Sequence, residues 1–469
     1  MTDELGQSPQ TVSTLCARRA QLLNRLGVFA NRARHPRPFS VEGRLTRMVG
    51  LTLESAGCVA AIGDRCEISR GSGRPIEVEV VGFRGDRLLL MPIGDVRGLA
   101  PNASVKAIGR SGRMRFGAGL LGRVLNGQGL PIDGGGPLLN TERLPIDRVP
   151  LNPMQRRPVS TPFDVGVRSI NALLTLGEGQ RVGLFAGSGV GKSVLLGMMT
   201  KFSAADVVVV GLIGERGREV GDFVHQTLGP DGLDRAVVVA APADDPPLLR
   251  LLGAELATQI AERFRDEGKR VLLLIDSLTR YAQAQREIGL AIGEPPTSRG
   301  YPPSVFAKLP QLAERAGNAA NGGGSITAIY TVLTESEETI DPVADAARAI
   351  LDGHIVLSRS LAERNHYPAV DVEASISRVF PQITEPGHRA DVERFRQLLS
   401  VYQQHEDLIS VGAYTAGANR NIDLAIEAYP RLMRFLEQSA DTCEPSDASV
   451  ATLSRLIGGM GGEVDVDAA

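Results

Sequence analysis

The sequence predicts an α/β protein with three structured parts: a small β-barrel, a central domain with a largely parallel sheet, and a helical domain. Three observations support this order. An apolar run at 182–185 passes through a glycine-rich loop into a helix-forming run, β-branched strands then alternate with helical patterns to about residue 380, and helical patterns alone follow residue 386. Such alternation is typical of parallel sheets covered by helices on both faces.

Composition indicates an ordinary globular protein. The chain has 469 residues, 43% hydrophobic and 22% charged, which is enough for two or three domains with a substantial core. The formal net charge of -3 argues against a protein that binds nucleic acid or acidic lipid over its whole surface. No apolar run approaches the roughly 20 residues that span a bilayer and there is no signal-peptide core, so we expect only peripheral membrane contact. The cysteines have neither metal-ligand nor redox spacing and are interpreted as reduced thiols of a cytosolic protein: Cys16, Cys58, Cys66 and Cys443.

Residues 1–40 form a basic N-terminal segment. Leu15, Leu22, Leu26 and Phe29, interrupted by arginines, predict an amphipathic helix over 11–33. Between residues 17 and 50 there are eight arginines and one acid, Glu42. Two interpretations stay open: a solvated basic face, or a surface that docks onto an acidic partner or a membrane.

The remaining chain divides into three parts. Residues 41–110 are expected to form the β-barrel, because alternating residues at 76–80 and an apolar run at 88–90 are typical of short strands. Residues 111–385 are expected to form the central domain, including a Pro- and Gly-rich connecting segment at 124–162. Residues 386–469 are expected to form the helical domain and a tail.

Elements of the central domain can be placed individually. A helix is predicted at 246–267, between paired prolines and Gly268, with Leu256, Ile260 and Phe264 as its buried stripe. Uninterrupted apolar runs predict the buried strands, at Val207–Ile213, 237–240, 271–275, 326–332 and 355–357.

The glycine-rich loop at 186–193 reads AGSGVGKS. Glycines let consecutive backbone N–H groups converge on an anion, and the N-terminus of the following helix adds a partial positive charge. Ala186 replaces the Gly that usually opens this pattern. An incidental lysine in a glycine-rich turn is the alternative, but strand, loop and helix occur in the order that phosphate binding requires. Lys192 is expected to reach the outer phosphates and the Ser193 hydroxyl to bind magnesium, and the whole predicted phosphate-binding set is Gly187, Ser188, Gly189, Val190, Gly191, Lys192 and Ser193.

Two later strand ends carry carboxylates, and in parallel sheets the chemistry gathers at the carboxyl ends of the strands. The strand Val207–Ile213 is followed by GERGRE, in which we predict Glu215 to be the general base for the water that attacks the terminal phosphate. The strand at 271–275 ends at Asp276, which we predict to hold magnesium through its water shell. The alternatives are a surface Glu215 paired with Arg216 or Arg218, and an Asp276 that only caps the next helix.

Residues 368–378, PAVDVEASISR, resemble the signature shared by the alpha and beta subunits of rotary ATP synthases and by their relatives in protein export. The phosphate loop, Glu215, Asp276 and the segment RGYPPS at 299–304 occur in family order, and the resemblance covers roughly residues 40–435. Within this group, FAGSGVGKS at 185–193, AAPAD at 240–244 and DGHIVLSR at 352–359 are most similar to the flagellar export ATPases. The virulence-type secretion ATPases are close behind.

The resemblance implies a RecA-like P-loop domain between an N-terminal β-barrel and a C-terminal helical domain, assembled as a six-membered ring that uses ATP and Mg²⁺. It gives Lys192 and Ser193 the phosphate and magnesium positions. It gives Glu215 the position of the catalytic glutamate and Asp276 that of the magnesium-associated aspartate.

Four further roles are implied by the resemblance alone. Arg378 matches an arginine that family members insert into a neighbouring subunit's site. Tyr367 and Tyr414 resemble the aromatic residues that flank the adenine ring, with core packing left open as the alternative for Tyr414. Arg216 resembles a phosphate ligand.

One chain holds the whole set of site residues, whereas in ATP synthases the set is divided between two different chains. A homohexamer is therefore expected, in which Lys192 of one copy faces Arg378 of the next. The C-terminal part contains no Glu-Glu-Asp type run like the one with which synthase beta subunits engage their rotor. This difference argues against a synthase subunit.

The leading hypothesis is an ATP-hydrolysing motor of the flagellar type III export apparatus. The alternatives are a virulence secretion ATPase, an ATP synthase subunit, a purely structural nucleotide-binding subunit, and a ring-shaped RNA translocase like the transcription termination factor. The absence of tryptophan, the 4% aromatic content and an N-terminal domain without clustered stacking residues argue against RNA. Expected partners are a regulator at residues 1–40, a stalk-like subunit in the ring pore, and export substrates and chaperones, with no nucleic acid. The expected location is cytoplasmic, peripheral to the inner-membrane export apparatus.

Overall fold

The structure, a computed structural model, describes residues 22, 23, 26, 41–71, 73–109, 113–145, 152–320, 322–334 and 341–460. Its strands, numbered in chain order, are β1 (Glu42–Val49), β2 (Thr52–Ala56), β3 (Arg65–Ile68), β4 (Ile76–Arg84), β5 (Arg87–Pro92), β6 (Ser104–Gly109), β7 (Arg113–Phe116), β8 (Arg123–Asn126), β9 (Glu142–Pro145), β10 (Arg181–Ala186), β11 (Val207–Ile213), β12 (Ala236–Ala241), β13 (Arg270–Asp276), β14 (Gly317–Asn318), β15 (Ser325–Leu333), β16 (Gly353–Leu357) and β17 (Val370–Ser377).

The α-helices span Arg168–Leu173, Lys192–Phe202, Gly217–Asp222, Gly229–Leu233, Pro247–Asp266, Leu278–Ile292, Pro303–Ala313, Pro342–Ile350, Arg359–Glu363, Phe380–Ile383, Pro386–Ser410, Arg420–Leu436 and Ser446–Gly458. A π-helical turn covers Phe223–Leu228, and short 3-10 turns cover Ala118–Leu120, Pro153–Gln155 and Ser298–Gly300.

Strands β1 to β6 form a closed antiparallel barrel in the order β1-β2-β5-β4-β3-β6. Alternate side chains point inward, so that Leu53, Val78, Leu90 and Val105 are completely buried in its core. The barrel that the sequence predicts is therefore confirmed.

The central sheet has the order β17-β16-β10-β15-β13-β11-β12-β8. Its pairs are parallel, except that β17 runs antiparallel to β16 and β14 antiparallel to β15. Strands β11 and β12 are buried along their whole length, as the β-branched runs predict for strands covered on both faces. The predicted fold class is confirmed.

One expectation for this sheet is wrong at its beginning. The sequence predicts a connecting segment at 124–162, but Arg123–Asn126 is the edge strand β8, which pairs in parallel with β12. Val124 and Leu125 are buried there. The burial of these two apolar side chains favours a strand, although the glycines that follow are typical of a loop.

Helices cover the sheet and continue beyond it. In the helix Pro247–Asp266 the predicted stripe of Leu256, Ile260 and Phe264 is at most 9% exposed. After β17 the chain is helical, and Phe395 and Phe435 from two successive long helices pack with their ring centroids 5.6 Å apart. The predicted C-terminal helical domain is thus confirmed as part of the fold.

The predicted helix at 11–33 lies outside the described residues except for Leu22, Leu23 and Leu26, which are helical and exposed. In the described part of the chain, no helix is both long and apolar enough to cross a membrane. Cys58 and Cys66 are buried and Cys443 is exposed, all three as free thiols. The four-part division at residues 40, 110 and 385 stays a prediction.

Candidate functional site

The phosphate loop joins the end of β10 to the helix Lys192–Phe202. Gly189 and Gly191 have φ of +79° and +88°, a left-handed conformation that a side chain would strain. Gly191 is the N-cap of the helix, and the first helical turn contains no acidic residue. The free N–H groups of the helix and its dipole therefore form an anion-binding site at Lys192.

Lys192 contacts both predicted carboxylates. Its Nζ lies 2.5 Å from Oδ1 of Asp276 and 3.4 Å from Oε1 of Glu215. The side chains of all three are at most 15% exposed. The structure therefore brings together the three residues that the sequence assigns to phosphate, water and magnesium.

Sheet order explains this contact. β11 and β13 are neighbouring parallel strands in which Leu212 pairs with Asp276, so Glu215 follows the same sheet edge a few residues later. The loop after β10 opens at that edge as well, because all these strands run in the same direction. This is the carboxyl edge of the sheet, as predicted.

Burial and charge shift the titration of this cluster. Burial alone would lower the pKa of Lys192, but the carboxylates of Asp276 and Glu215 outweigh it and raise the pKa above its ordinary value. Burial and the nearby charge of Asp276 raise the pKa of Glu215 to about 7, against the opposing effect of Lys192. A carboxyl group that titrates near neutral pH is suited to accept a proton in catalysis.

The structure disfavours the alternative interpretations of both carboxylates. Ser277, not Asp276, caps the helix Leu278–Ile292, and its side chain accepts a hydrogen bond from the N–H of Arg280. Glu215 contacts Lys192, whereas Arg216 is 80% exposed and pairs with Glu219 at 3.8 Å. The guanidinium of Arg216 therefore does not join the buried cluster.

Two threonines at the site were not predicted from the sequence. Thr331 is fully buried and its hydroxyl donates to Oδ1 of Asp276 at 2.6 Å, while the hydroxyl of Thr279 accepts from the N–H of Leu333 at 2.9 Å. The available signal was the position of Thr331 near the end of a strand: Tyr330 pairs with Ile275, and Thr331 follows Tyr330 as Asp276 follows Ile275.

The residues at this edge suit magnesium. A hydroxyl from Ser193 and a carboxylate from Asp276 are hard oxygen donors, and Mg²⁺ in phosphate sites takes one or two such protein ligands together with phosphate oxygens and water. No group of three or more His, Cys, Asp or Glu side chains that could hold a metal occurs among the described residues. With Ser193 and Asp276 as protein ligands, phosphate oxygens and water would supply the remaining ligands of such an ion.

Tyr367 adjoins the phosphate loop. A Cβ placed on Gly191 would lie 3.2 Å from Cε1 of Tyr367, so the ring packs directly over that glycine. The ring remains 40% exposed, as a surface that receives a planar ligand requires. The hydroxyl of Tyr414 bonds within its own segment, where its oxygen lies 2.9 Å from both the carbonyl oxygen of Asn419 and a carboxylate oxygen of Asp423.

Arg378 does not join the cluster of its own chain. Its N–H donates to the carbonyl of Asp352 at 3.0 Å, and its guanidinium donates to the carbonyl of Arg348 at 3.0 Å. These contacts lie at the amino edge of the parallel strands, because Gly353 at the start of β16 pairs with Ser377 at the end of β17. The side chain is exposed, which a residue directed at a neighbouring subunit requires.

Comparisons with known proteins agree with this arrangement. Residues 166–377 match the nucleotide-binding domain of the ATP synthase alpha/beta family, and residues 384–455 match the T3SS EscN ATPase C-terminal domain. The chain is 58% identical to the flagellum-specific ATP synthase of Pseudomonas aeruginosa over 444 residues, which is 94% of this chain and 98% of that protein.

Solved structures extend the similarity to three dimensions. The assembled ATPase EscN from the enteropathogenic E. coli type III secretion system superposes with a TM-score of 0.84 at 41% identity, over 88% of this chain and all of that one. The same ATPase in complex with its central stalk EscO gives a TM-score of 0.81 at 40% identity, with 88% of this chain and 100% of that one covered.

Proposed function

Because the chain belongs to the ATP synthase alpha/beta family, on its flagellum-specific branch, we propose that it is the ATP-hydrolysing motor of a flagellar type III protein export apparatus. The observation that carries this proposal is the contact of Lys192 with Asp276 and Glu215 beside the phosphate loop. These three residues form one buried cluster, in which Lys192 is a cation for phosphate, Glu215 is a base for water, and Asp276 is an oxygen ligand for a metal.

The chemistry follows from these positions. Backbone N–H groups of residues 187–193 and the Lys192 ammonium bind the triphosphate, and phosphate oxygens take the place of the carboxylates as partners of Lys192. Glu215 orients the attacking water and accepts its proton as the bond to the terminal phosphate breaks. The raised pKa of Glu215 brings its proton affinity close to that needed at neutral pH.

Magnesium completes the site in this proposal. The hydroxyl of Ser193 and the carboxylate of Asp276 would hold it, the latter partly through water. The ion would neutralise charge on the phosphate oxygens during the transfer. Thr331 fixes the carboxylate of Asp276 by donating to Oδ1 and so maintains its orientation.

The site requires a second copy of the chain. Arg378 lies at the far sheet edge and is exposed, so it can reach a phosphate only in a neighbouring subunit. In a closed homohexamer each interface then unites Lys192 of one copy with Arg378 of the next. By likeness to the assembled EscN and its complex with EscO, the ring takes a stalk-like subunit in its pore.

The finer assignments are part of the same proposal. Tyr367 and Tyr414 flank the adenine ring, and Arg216 is a phosphate ligand. Residues 1–40 bind a regulator, and export substrates or their chaperones engage the ring. The protein works in the cytoplasm, peripheral to the inner-membrane export apparatus, without binding nucleic acid.

A strain that lacks its own flagellar export ATPase provides the test. Wild-type protein should restore motility and the export of hook and filament proteins. The matched variant Glu215→Gln, in which an amide nitrogen replaces one carboxylate oxygen, should not. Restored effector secretion in a second strain that lacks its virulence secretion ATPase, without restored motility in the first strain, would favour the second candidate, which the likeness to EscN supports. Stimulation of the purified protein's ATPase activity by RNA would instead favour the hypothesis of an RNA translocase.

A further inference from the structure

The end of the helix Arg420–Leu436 lies against the backbone that carries Tyr367. The N–H of Gln438 donates to the carbonyl of Tyr367 at 3.0 Å. The adjacent Glu437 lies 3.3 Å from Nδ1 of His366, whose side chain is only 6% exposed. Two successive residues of the helical domain thus hold two successive residues beside the phosphate loop.

Gln438 is itself fixed to a third segment. Its side chain is buried, and its Oε1 accepts from the N–H of Arg168 at 2.8 Å. Its Nε2 donates to the carbonyls of Gly166 at 2.9 Å and Thr442 at 2.8 Å. A buried amide with donors and acceptor all used fixes the backbone at its position, because any shift leaves a buried polar group without a partner.

The contacts of the Tyr367 side chain itself hold the ring only weakly in place. Its hydroxyl donates to the carbonyl of Ala362 at 3.4 Å, a long hydrogen bond, and the ring is 40% exposed. The direction of the ring therefore depends on the backbone of 366–367. That backbone is held by Gln438, by the contact between Glu437 and His366, and by the N–H of His366 donating to Leu361 at 3.0 Å.

We propose that Gln438, supported by Glu437, is a positioning residue that holds Tyr367 over Gly191 and thereby sets recognition of the nucleotide base from the helical domain. This inference rests on the proposed role of Tyr367 in contacting the base. It gives the helical domain a direct connection to the nucleotide site of its own subunit, distinct from the connection that Arg378 makes between subunits.

The test compares a ligand that has a base with one that lacks it. In Gln438→Met, which keeps the length of the side chain and removes its polar atoms, the affinity for a non-hydrolysable ATP analogue should fall about three- to tenfold. This is a fraction of the roughly 5- to 150-fold that loss of one base–aromatic stacking contact represents. Binding of inorganic tripolyphosphate should change less than about twofold, since the phosphate loop is untouched.

Gln285→Met is the matched control. Gln285 is a buried amide on the helix Leu278–Ile292, and its side chain donates to the hydroxyl of Ser304 at 3.0 Å. Its loss should affect both ligands equally. Where Gln438→Met fails to fold, Gln438→Glu retains the acceptor for Arg168, loses both donors, and carries the same expectation.

Tyr367→Ala separates the inference from the function on which it rests. If Tyr367→Ala leaves the ratio of the two affinities unchanged, Tyr367 does not contact the base and its proposed role fails. If that variant changes the ratio but neither Gln438 variant does, the positioning role is overturned while the role of Tyr367 stands. Equal weakening of both ligands by the Gln438 variants would also overturn it, as a purely structural effect.

Discussion

Lys192 and Arg378 of one chain lie at opposite edges of the central sheet. Lys192 begins the helix that follows the carboxyl end of β10 across the phosphate loop. The N–H of Arg378 donates to the carbonyl of Asp352. The carboxylate of Asp352 in turn pairs at 2.9 Å with Arg181, the first residue of β10. The five steps of that strand correspond to roughly 17 Å at about 3.3 Å per residue. An arginine side chain cannot span this distance, so the two residues can meet only across an interface between copies.

Lys192 and Glu215 should have separable roles. Lys192 contacts phosphate in the ground state and in the transition state, whereas Glu215 acts on the attacking water. Lys192→Ala should therefore lose nucleotide binding, Glu215→Gln should retain it, and both should lose hydrolysis. Isothermal titration with a non-hydrolysable ATP analogue and a phosphate-release assay measure the two properties. Near-normal turnover by Glu215→Gln would show that Glu215 is not the general base.

The raised pKa of Glu215 predicts how its replacement changes stability with pH. Folding raises this pKa from 4.5 to about 7, so the folded state favours the protonated form. The wild type therefore loses stability as pH rises from about 4.5 to 7, by at most about 3.5 kcal/mol at about 1.4 kcal/mol per unit. Glu215→Gln cannot ionise and should escape this loss.

Thermal unfolding without nucleotide checks this expectation. Glu215→Gln should unfold at a higher temperature than the wild type at pH 8 and at nearly the same temperature at pH 4.5. Glu267→Gln serves as the comparison, since Glu267 is an exposed residue at the end of the helix Pro247–Asp266. A difference between Glu215→Gln and the wild type that does not grow with pH would contradict the electrostatic cause.

The extent to which sequence predicts this molecule depends on whether a signal is local. The sequence predicts the strand Val207–Ile213 at its observed boundaries, because a short apolar run rich in β-branched residues, between a helix and a glycine, is typical of a buried strand. The meeting of Lys192, Glu215 and Asp276 also followed from strand order, since parallel strands end at one edge. Both predictions need only the chain's own pattern.

Contacts that depend on register or on distant packing could not be predicted. Thr331 meets Asp276 only because β15 pairs with β13 in one particular register, and a shift of one residue would turn the hydroxyl to the other face. Gln438 bonds to Gly166, 272 residues earlier in the chain, through packing of the helical domain that no local pattern encodes.

Thr331→Val should weaken magnesium-dependent turnover without altering the fold. Valine has nearly the same shape, but it leaves Asp276 without the hydroxyl that donates to it at 2.6 Å. A hydrogen bond to a charged group contributes about 1.5 to 3 kcal/mol, so we expect a loss of about 10- to 100-fold in kcat/KM or in apparent affinity for Mg²⁺. Steady-state kinetics over a magnesium titration measure both.

Thr327→Val is the control for that experiment. Thr327 lies on the same strand and its hydroxyl accepts from the N–H of Gly179 at 3.0 Å, near the opposite sheet edge. It should lose some stability and keep its magnesium dependence. If both variants change the magnesium requirement equally, the hydroxyl of Thr331 has no special role at the site.

Deletion of residues 1–33 should separate partner binding from catalysis. If this basic segment docks a regulator and stays outside the catalytic fold, the truncated protein should retain most ATPase activity at high protein concentration. It should also lose co-purification with that partner. The controls are circular dichroism and the thermal unfolding midpoint. Complete unfolding of the truncated protein would show that the segment belongs to the core.

Arg378→Ala and Lys192→Ala should each be inactive, for different reasons. An arginine delivered across a subunit boundary contributes about 10³ to 10⁵ in turnover, so Arg378→Ala should bind ATP and hydrolyse it very slowly. In mixed rings the Arg378→Ala copy supplies Lys192 and its Lys192→Ala neighbour supplies Arg378, which makes that interface complete. With random assembly at equal amounts, roughly a quarter of the interfaces in a closed ring of identical contacts should be restored.

ATPase activity should therefore reappear when the two inactive proteins assemble together, provided that one site can turn over without competent neighbours. Verified mixed rings that stay inactive leave two causes: Arg378 acts within its own chain, or turnover requires every site. Rings of wild-type and Arg378→Ala copies at graded ratios separate them, since a linear fall in activity indicates independent sites and a steep fall indicates obligatory coupling. Inactive mixed rings together with a linear fall would contradict the shared site, because independent interfaces that contain both Lys192 and Arg378 must then hydrolyse ATP.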